Sequence, residues 1–219
     1  MIKENIERVK ERINAVCSRI KSDPGKITLV CVTKGRPVEQ VLAAVNSGLK
    51  NIGENRVQEA LEKYKSVSGA CWHMVGHLQS NKVKDALKIF DLIHSVDSIN
   101  LARQINQQAL KMNKIQDILL EVKTSPEVNK LGFKPEVLAE VCEEIIKFQN
   151  VRIKGLMTIA PLLDNANETR PYFSKLRQLR DQLNPGWLLS MGMSGDFEAA
   201  IEEGADIVRL GRIIFEDNV

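Results

Sequence analysis

A single (β/α)8 barrel with one extra helix in front is the α/β fold that this sequence predicts. Three observations carry the expectation. Short apolar runs alternate with amphipathic stretches of helical period from residue 27 to residue 215, giving eight strands. The first run, residues 27–33, is nearly all apolar or β-branched, as in a strand covered on both faces of a parallel sheet. It leads into Lys34-Gly35-Arg36-Pro37 rather than into G-x-G-x-x-G, so an open dinucleotide-binding sheet is disfavoured.

Ile2, Ile6, Val9, Ile13, Val16, Cys17 and Ile20 recur at helical spacing, so residues 2–22 read as a helix with one apolar stripe. Asp23-Pro24-Gly25 is a turn. The strand over 27–33 is followed by a helix over 37–47, with Pro37 in its first turn and Gly48 just past its end. A strand over 49–53 leads to a helix capped by Asn55 and running to Tyr64. A strand over 71–76 precedes a helix capped by Ser80 or Asn81 and ending at Lys88. A strand over 90–95 is followed by a helix from Ser98 to about Leu110, and a strand over 115–123 by a helix over 134–148. A strand over 151–159 precedes a helix over 168–183 with Phe173, Leu176, Leu179 and Leu183 inward. A strand over 187–191 precedes a helix over 196–203 ended by Gly204. The last strand covers 206–210, and a short helix starts at Arg212.

Residues 1–219 fit one barrel domain, with 43% apolar residues to build its core. The net charge of +3, from 31 basic and 28 acidic side chains, is too balanced to point to nucleic acid or an anionic membrane. Cys17, Cys31, Cys71 and Cys142 are widely spaced without C-x-x-C, and read as reduced thiols of a cytoplasmic protein. The charged N-terminus has no apolar signal region, and no apolar run approaches the ~20 residues of a membrane span.

The polar and glycine-rich pieces follow the strands, on the face where such barrels keep their sites. Lys34 stands where the first strand ends. It is either the first solvated residue of a loop or, if partly desolvated, an amine able to attack a carbonyl and form a Schiff base. Gly53-Glu54-Asn55, His73 to Lys82, Asn129-Lys130-Leu131-Gly132 and Met157 to Pro161 share that face. So do Met191-Gly192-Met193-Ser194-Gly195-Asp196 and Arg209-Leu210-Gly211-Arg212, after strands seven and eight. Those last two loops read as ordinary turns or as a phosphate cradle, with glycine amides, the Ser194 hydroxyl and two helix ends converging. Asp196 reads as a helix cap. Asn55 is an N-cap whose strand-end position also aims it into the pocket. His73 and His77 lack a third ligand, so no metal site is expected; His73 reads as a hydrogen-bonded core or pocket residue. A lysine at one side and a phosphate cradle at the other suit pyridoxal 5′-phosphate or a phosphorylated sugar in an aldolase.

The chain resembles the pyridoxal phosphate homeostasis proteins, small proteins similar to the N-terminal barrel of alanine racemase. The resemblance rests on Val32-Thr33-Lys34, Ile52-Gly53-Glu54-Asn55 with Gln58-Glu59, Trp72-His73 with Gly76, Leu78-Gln79 and Asn81-Lys82, and Lys130 with Gly132-Phe133. It extends through Gly155-Leu156-Met157-Thr158, Met191 to Ser194 with Asp196, Glu198 with Ala200-Ile201, and Val208-Arg209 with Gly211. It implies a fold-type III barrel with Lys34 as the aldimine lysine, Ser194 and Gly211 at phosphate positions, and Arg209 facing the pyridine nitrogen. An arginine there disfavours a protonated ring and weakens it as an electron sink. The cofactor-binding set expected is Lys34, Asn55, His73, Ser194, Gly195, Arg209, Gly211 and Arg212. Arg212 departs from the small hydroxyl residue usual in the family, and Glu216 from a usual glycine. Alanine racemases add a second domain with a catalytic tyrosine; Tyr64 and Tyr172 lie in predicted helices here. No acid/base opposite the lysine was evident. The resemblance therefore implies a cytoplasmic, monomeric carrier and regulator of pyridoxal 5′-phosphate, with dependent apoenzymes as recipients. The alternatives are an aldolase-like Schiff-base enzyme and a weak amino-acid racemase.

Overall fold

A computed structural model describes residues 1–127 and 131–216 of the chain. Asn129 and Lys130, named above, lie outside the described residues.

The strands are β1 (Thr28–Val32), β2 (Asn51–Glu54), β3 (Cys71–Met74), β4 (Leu92–Val96), β5 (Gln116–Glu121), β6 (Val151–Met157), β7 (Leu188–Ser190) and β8 (Ile207–Leu210). They pair in sequence order, all parallel, and β8 returns to β1 with Thr28 opposite Ile207 and Val30 opposite Arg209. The barrel is therefore closed and has no edge strand.

Between the strands run α2 (Val38–Asn46), α3 (Val57–Tyr64), α4 (Val83–Ala86), α5 (Ile99–Lys111), α6 (Leu138–Ile145), α7 (Arg170–Leu183), α8 (Phe197–Glu202) and α9 (Arg212–Phe215), after the leading α1 (Ile2–Arg19). No described helix is long and apolar enough to cross a membrane.

Alternate residues of each strand serve two different cores. Cys31, Ile52, Trp72, Ile93, Leu120 and Val208 pack between strands and helices. Val30, Val75, Leu92, Leu119, Met157 and Ile207 form a second cluster enclosed by the strands themselves. Residues two further along the same strands, including His94, Glu121, Ser190 and Arg209, share the enclosed side.

α1 buries Ile6, Val9, Ile13 and Val16, each worth roughly 1.5–3 kcal/mol when removed from water. It packs on α2, α8 and α9, across the seam between the first and last units. Asn5 donates from Nδ2 to the Ile214 carbonyl at 3.0 Å, and Arg12 and Arg19 pair with Glu198 and Glu202, both at 2.7 Å.

Several boundaries differ from the sequence reading. α1 stops at Arg19, where Lys21 takes φ 55° and turns the chain. Asn55 does not cap α3: the helix begins at Val57 after Arg56, leaving Asn55 in the loop with its backbone against Gly76, where a Cβ would lie 2.5 Å from the Asn55 carbonyl. The helix expected from Ser80 to Lys88 is a 3-10 turn over Ser80–Lys82 and one α turn. Pro135 opens a 3-10 turn ahead of α6, so that helix starts at Leu138. Ser98 does cap α5, accepting the Leu101 N–H at 3.2 Å.

Candidate functional site

Beyond β1 the chain makes a tight turn, closed by the Arg36 N–H on the Thr33 carbonyl at 3.0 Å, with Gly35 at φ 68°. Lys34 is the other central residue of that turn. It is exposed, so of the two readings of its strand-end position the solvated one holds: β1 ends at Val32 and Thr33 is the buried residue before it.

The turn is held from below by a buried ionic cluster. Lys63, on α3, donates from Nζ to the Thr33 carbonyl at 2.6 Å and to Glu54 Oε1 at 2.5 Å. The Thr33 hydroxyl donates to the same carboxylate oxygen at 2.5 Å, and Glu59 accepts the Gly35 N–H at 3.2 Å. Burial pushes the Glu54 carboxyl up, while the bonds from Lys63 and Thr33 pull it down. Two consecutive peptides at Lys34 are thus gripped by side chains of one helix.

A cavity of about 410 Å³ collects Lys34, Asn55, Ser194, Arg209, Gly211 and Arg212. Gly195 lines the adjoining cavity of about 390 Å³, which Arg212 also borders. The two glycine loops touch: the Ile213 N–H donates to Ser194 Oγ at 3.4 Å. Gly192, at φ 92°, admits no side chain, since a Cβ would sit 2.6 Å from that of Ala200. A Cβ at Gly195 would meet nothing within 4 Å, so the chain is uncrowded there. Asp196 stands at the cap position of α8, yet its carboxylate turns back and accepts the Met193 N–H at 2.6 Å. With six and four residues, α8 and α9 sum few peptide dipoles. The loops therefore offer an anion local amides, a hydroxyl and the exposed Arg212, more than helix ends.

His73 does not line the cavity. It is buried beneath it in a row of polar side chains that crosses the barrel. Arg209 donates from Nη1 to Ser190 Oγ at 2.6 Å and from Nη2 to the Thr158 carbonyl at 3.0 Å. Guanidinium groups only donate, so the Ser190 hydroxyl hydrogen points onward to His94 Nδ1, 2.9 Å away. His94 Nε2 lies 3.0 Å from His73 Nδ1, and His73 Nε2 lies 3.1 Å from Asn51 Oδ1. One donor sequence satisfies every link: Arg209 to Ser190, to His94, to His73, to Asn51. It requires both imidazoles neutral with the proton on Nε2. Burial lowers His73 to about 4, and burial with neighbouring His73 and Arg209 holds His94 well below its ordinary value. Burial also lowers Arg209 to about 10, against the pull of Glu121 and Asp196, so it keeps its charge at neutral pH.

His77 pairs instead with Asp97, Nδ1 to Oδ2 at 3.1 Å. Among the described residues no three His, Cys, Asp or Glu side chains are grouped to hold a metal ion. Sequence reasoning placed Glu54 on the site face without giving it a role, and passed over Lys63, His94, Glu121 and Ser190. For His94 and Glu121 the signal was present, as polar residues inside otherwise apolar strands; for Lys63 and Ser190 it was absent.

Comparison with known proteins agrees in fold and in sequence. The family model described as alanine racemase, N-terminal domain, matches residues 1–219. A pyridoxal phosphate homeostasis protein of Aquifex aeolicus (strain VF5) is 46% identical over 219 residues, covering 97% of this chain and 96% of that protein. Its counterpart in Escherichia coli (strain K12) is 32% identical over 226 residues, covering 98% and 95%. The structure of PipY of Synechococcus elongatus PCC7942 with PLP bound has a TM-score of 0.84 at 34% identity, covering 99% of this chain and 100% of PipY. Alanine racemase of Clostridium difficile 630 in complex with cycloserine shares the fold alone, at 15% identity and a TM-score of 0.76, over 99% of this chain and 59% of the racemase.

Proposed function

The chain belongs to the alanine racemase N-terminal domain family, and from that membership we propose that it binds pyridoxal 5′-phosphate and serves in the homeostasis of that cofactor. The observation that carries this reading is the cavity itself. It is lined by a flexible primary amine, Lys34, by two glycine-containing loops and by the buried Arg209 cation. A phosphorylated aldehyde on a heteroaromatic ring matches that donor set. Bound there, it would supply an aldehyde that captures amines.

In this reading Lys34 holds the aldehyde carbon covalently. Ser194, Gly195, Gly211 and Arg212 hold the phosphate, and Asn55 flanks the ring. Arg209 faces the ring nitrogen as a donor and so keeps that nitrogen unprotonated. His73 acts at a distance, through His94 and Ser190, by holding Arg209 in place. Residues 1–219 work as one domain. The protein is a cytoplasmic, monomeric carrier and regulator, handing the cofactor to dependent apoenzymes, rather than an enzyme. Neither tyrosine supports a racemase: Tyr64 lies on α3 edge-on to Trp72, and Tyr172 lies on α7.

Borohydride reduction of the loaded protein should fix the cofactor to the peptide containing Lys34, and Lys34→Ala should abolish the adduct. An adduct retained on another lysine in that variant would overturn the assignment. Phosphate capture should dominate affinity, because charge-assisted hydrogen bonds contribute ~1.5–3 kcal/mol each. Ser194→Ala should weaken binding roughly tenfold, about 1.4 kcal/mol. Pyridoxal, which lacks the phosphate, should bind far more weakly than the phosphate ester to both proteins. Equal binding of the two ligands would dismiss the two loops as a phosphate site.

A further inference from the structure

A second cavity, of about 290 Å³, opens beside the first and shares Asn55, Val75 and Ile159 with it. Its other walls include Gly76, Val122 and Leu131, and it contains one acid, Glu121. Glu121 is the last residue of β5, two beyond Leu119, which places it on the enclosed side of the barrel at the mouth. The residue is 8% exposed, and its carboxyl makes no hydrogen bond or close salt bridge among the described residues, the Arg209 charge acting on it from farther off. Buried carboxyl groups are ordinarily bonded, because leaving one unpaired is costly. A buried acid without a salt bridge, facing a cavity in which Val75, Val122, Leu131 and Ile159 supply an aliphatic side beside Asn55, His77 and Lys123, is matched by a ligand with a cationic head and a methylene stem.

We propose that this cavity admits the amine that would take the cofactor from Lys34, its nitrogen bonding the aldehyde carbon as the bond to Lys34 breaks and its two remaining hydrogens passing to the departing Lys34 nitrogen: an aliphatic primary ammonium, about the size of a lysine side chain, seats its head on Glu121 and its stem against Val75, Val122 and Leu131. This deepens the cofactor reading above and rests on it. Glu121 then accepts one proton from the seated ammonium. The N–H bond breaks, its electron pair stays on nitrogen, and a neutral amine is left at the border of the Lys34 cavity beside a carboxylic acid.

Charge around Glu121 suits the task. Burial raises its proton affinity most, Asp97 beyond β4 raises it further, and Arg209 on β8 opposes them, leaving it at about 7. His77 and Lys123 line the same cavity, and Lys34 the adjoining one. Ammonium binding should therefore tighten as pH rises through about 7.

The test uses loaded protein reduced with borohydride, so that the probe cannot react with the cofactor. n-Butylammonium is titrated by calorimetry, with n-pentanol as the neutral control of similar length. Glu121→Gln should weaken n-butylammonium at least tenfold and leave n-pentanol unchanged, while Glu121→Asp should retain part of the affinity. The 13C resonance of the Glu121 carboxyl should titrate near 7 and move to lower pH with saturating probe. Equal n-butylammonium affinity in wild type and Glu121→Gln, or no saturable binding to wild type, would overturn the proposal. The yield of the reduction step reports on the cofactor reading separately. If no cofactor is fixed, that reading fails, and the same titration on the cofactor-free protein still decides the role of Glu121.

Discussion

Replacing Glu121 with glutamine should change stability by an amount that depends on pH, and its size follows from the carboxyl's burial. Each factor of ten in proton affinity is ~1.4 kcal/mol, so a carboxyl raised from 4.5 to about 7 on folding carries ~3 kcal/mol. The folded protein binds this proton more tightly than the unfolded chain does. The contribution is therefore fully present below pH 4.5 and is lost as pH rises to about 7. The wild-type curve will not show it alone, because the buried histidines His73 and His94 act in the opposite sense. His73, lowered from 6.5 to about 4, takes up its proton first in the unfolded chain, so its contribution falls as pH drops through nearly the same window. The Glu121 and His73 slopes are opposite and of similar size. Only the difference between wild type and Glu121→Gln isolates the carboxyl, because both histidines are common to the two proteins. The glutamine amide, itself left unpaired, adds a penalty of about 1–3 kcal/mol that does not vary with pH. Urea unfolding of both proteins from about pH 4.5 to about pH 8 measures the difference, with m-values checked for equality. Relative to wild type, the variant should gain ~3 kcal/mol across that range. A flat difference curve would refute the reasoning and mean that Glu121 is ordinarily solvated.

Lys63→Met should cost about 3–5 kcal/mol, because it leaves the buried Glu54 carboxylate without its cation. Thermal unfolding should show part of that restored in Lys63→Met/Glu54→Gln; equal midpoints for the single and double variants would tell against a coupled pair. Ser190→Ala removes the acceptor of Arg209 and the donor to His94, and should cost about 1–3 kcal/mol. It should also shift the visible band of bound cofactor, and an unchanged spectrum would mean that Arg209 needs no holding from behind. Gly192→Ala, at φ 92° and in collision with Ala200, should cost about 1–3 kcal/mol by urea unfolding and weaken phosphate capture; wild-type behaviour in both assays would contradict the geometry of that loop.

The alternation of apolar runs and amphipathic stretches was enough to read the barrel, because each strand's burial on both faces is written in its own residues. Helix starts were harder. Asn55 has the chemistry of a cap, but its backbone is pressed against Gly76, and helix propensity cannot register a contact made across two strands. Lys34, Ser194, Arg209, Gly211 and Arg212 were legible because each stands near or beyond the end of a strand, and strand ends share one face once the barrel closes. The row behind Arg209 was not legible. His94 and Ser190 stand 96 residues apart, and closure of the sheet brings them to 2.9 Å. Lys63 occupies a helix position that reads as solvated until the Thr33 turn folds over it. Glu121 did leave a signal, an acid between Ile118-Leu119-Leu120 and Val122, but that run of apolar neighbours reads first as plain core.

The seam beneath α1 bears on how the molecule comes to be folded on the ribosome. Asn5 finds its partner at Ile214, 209 residues later, and β1 waits for β8 from Thr28 to Cys31. Synthesis at ~5–20 residues per second leaves a delay of roughly ten seconds to forty seconds between the two ends. Through that interval Ile6, Val9, Ile13 and Val16 have no α8 or α9 to cover them, and β1 has one open side. The apolar stripe of α1 is thus the surface a chaperone would meet first and release last. Pulse-labelled nascent chains should keep this helix sensitive to protease until β8 has left the exit tunnel.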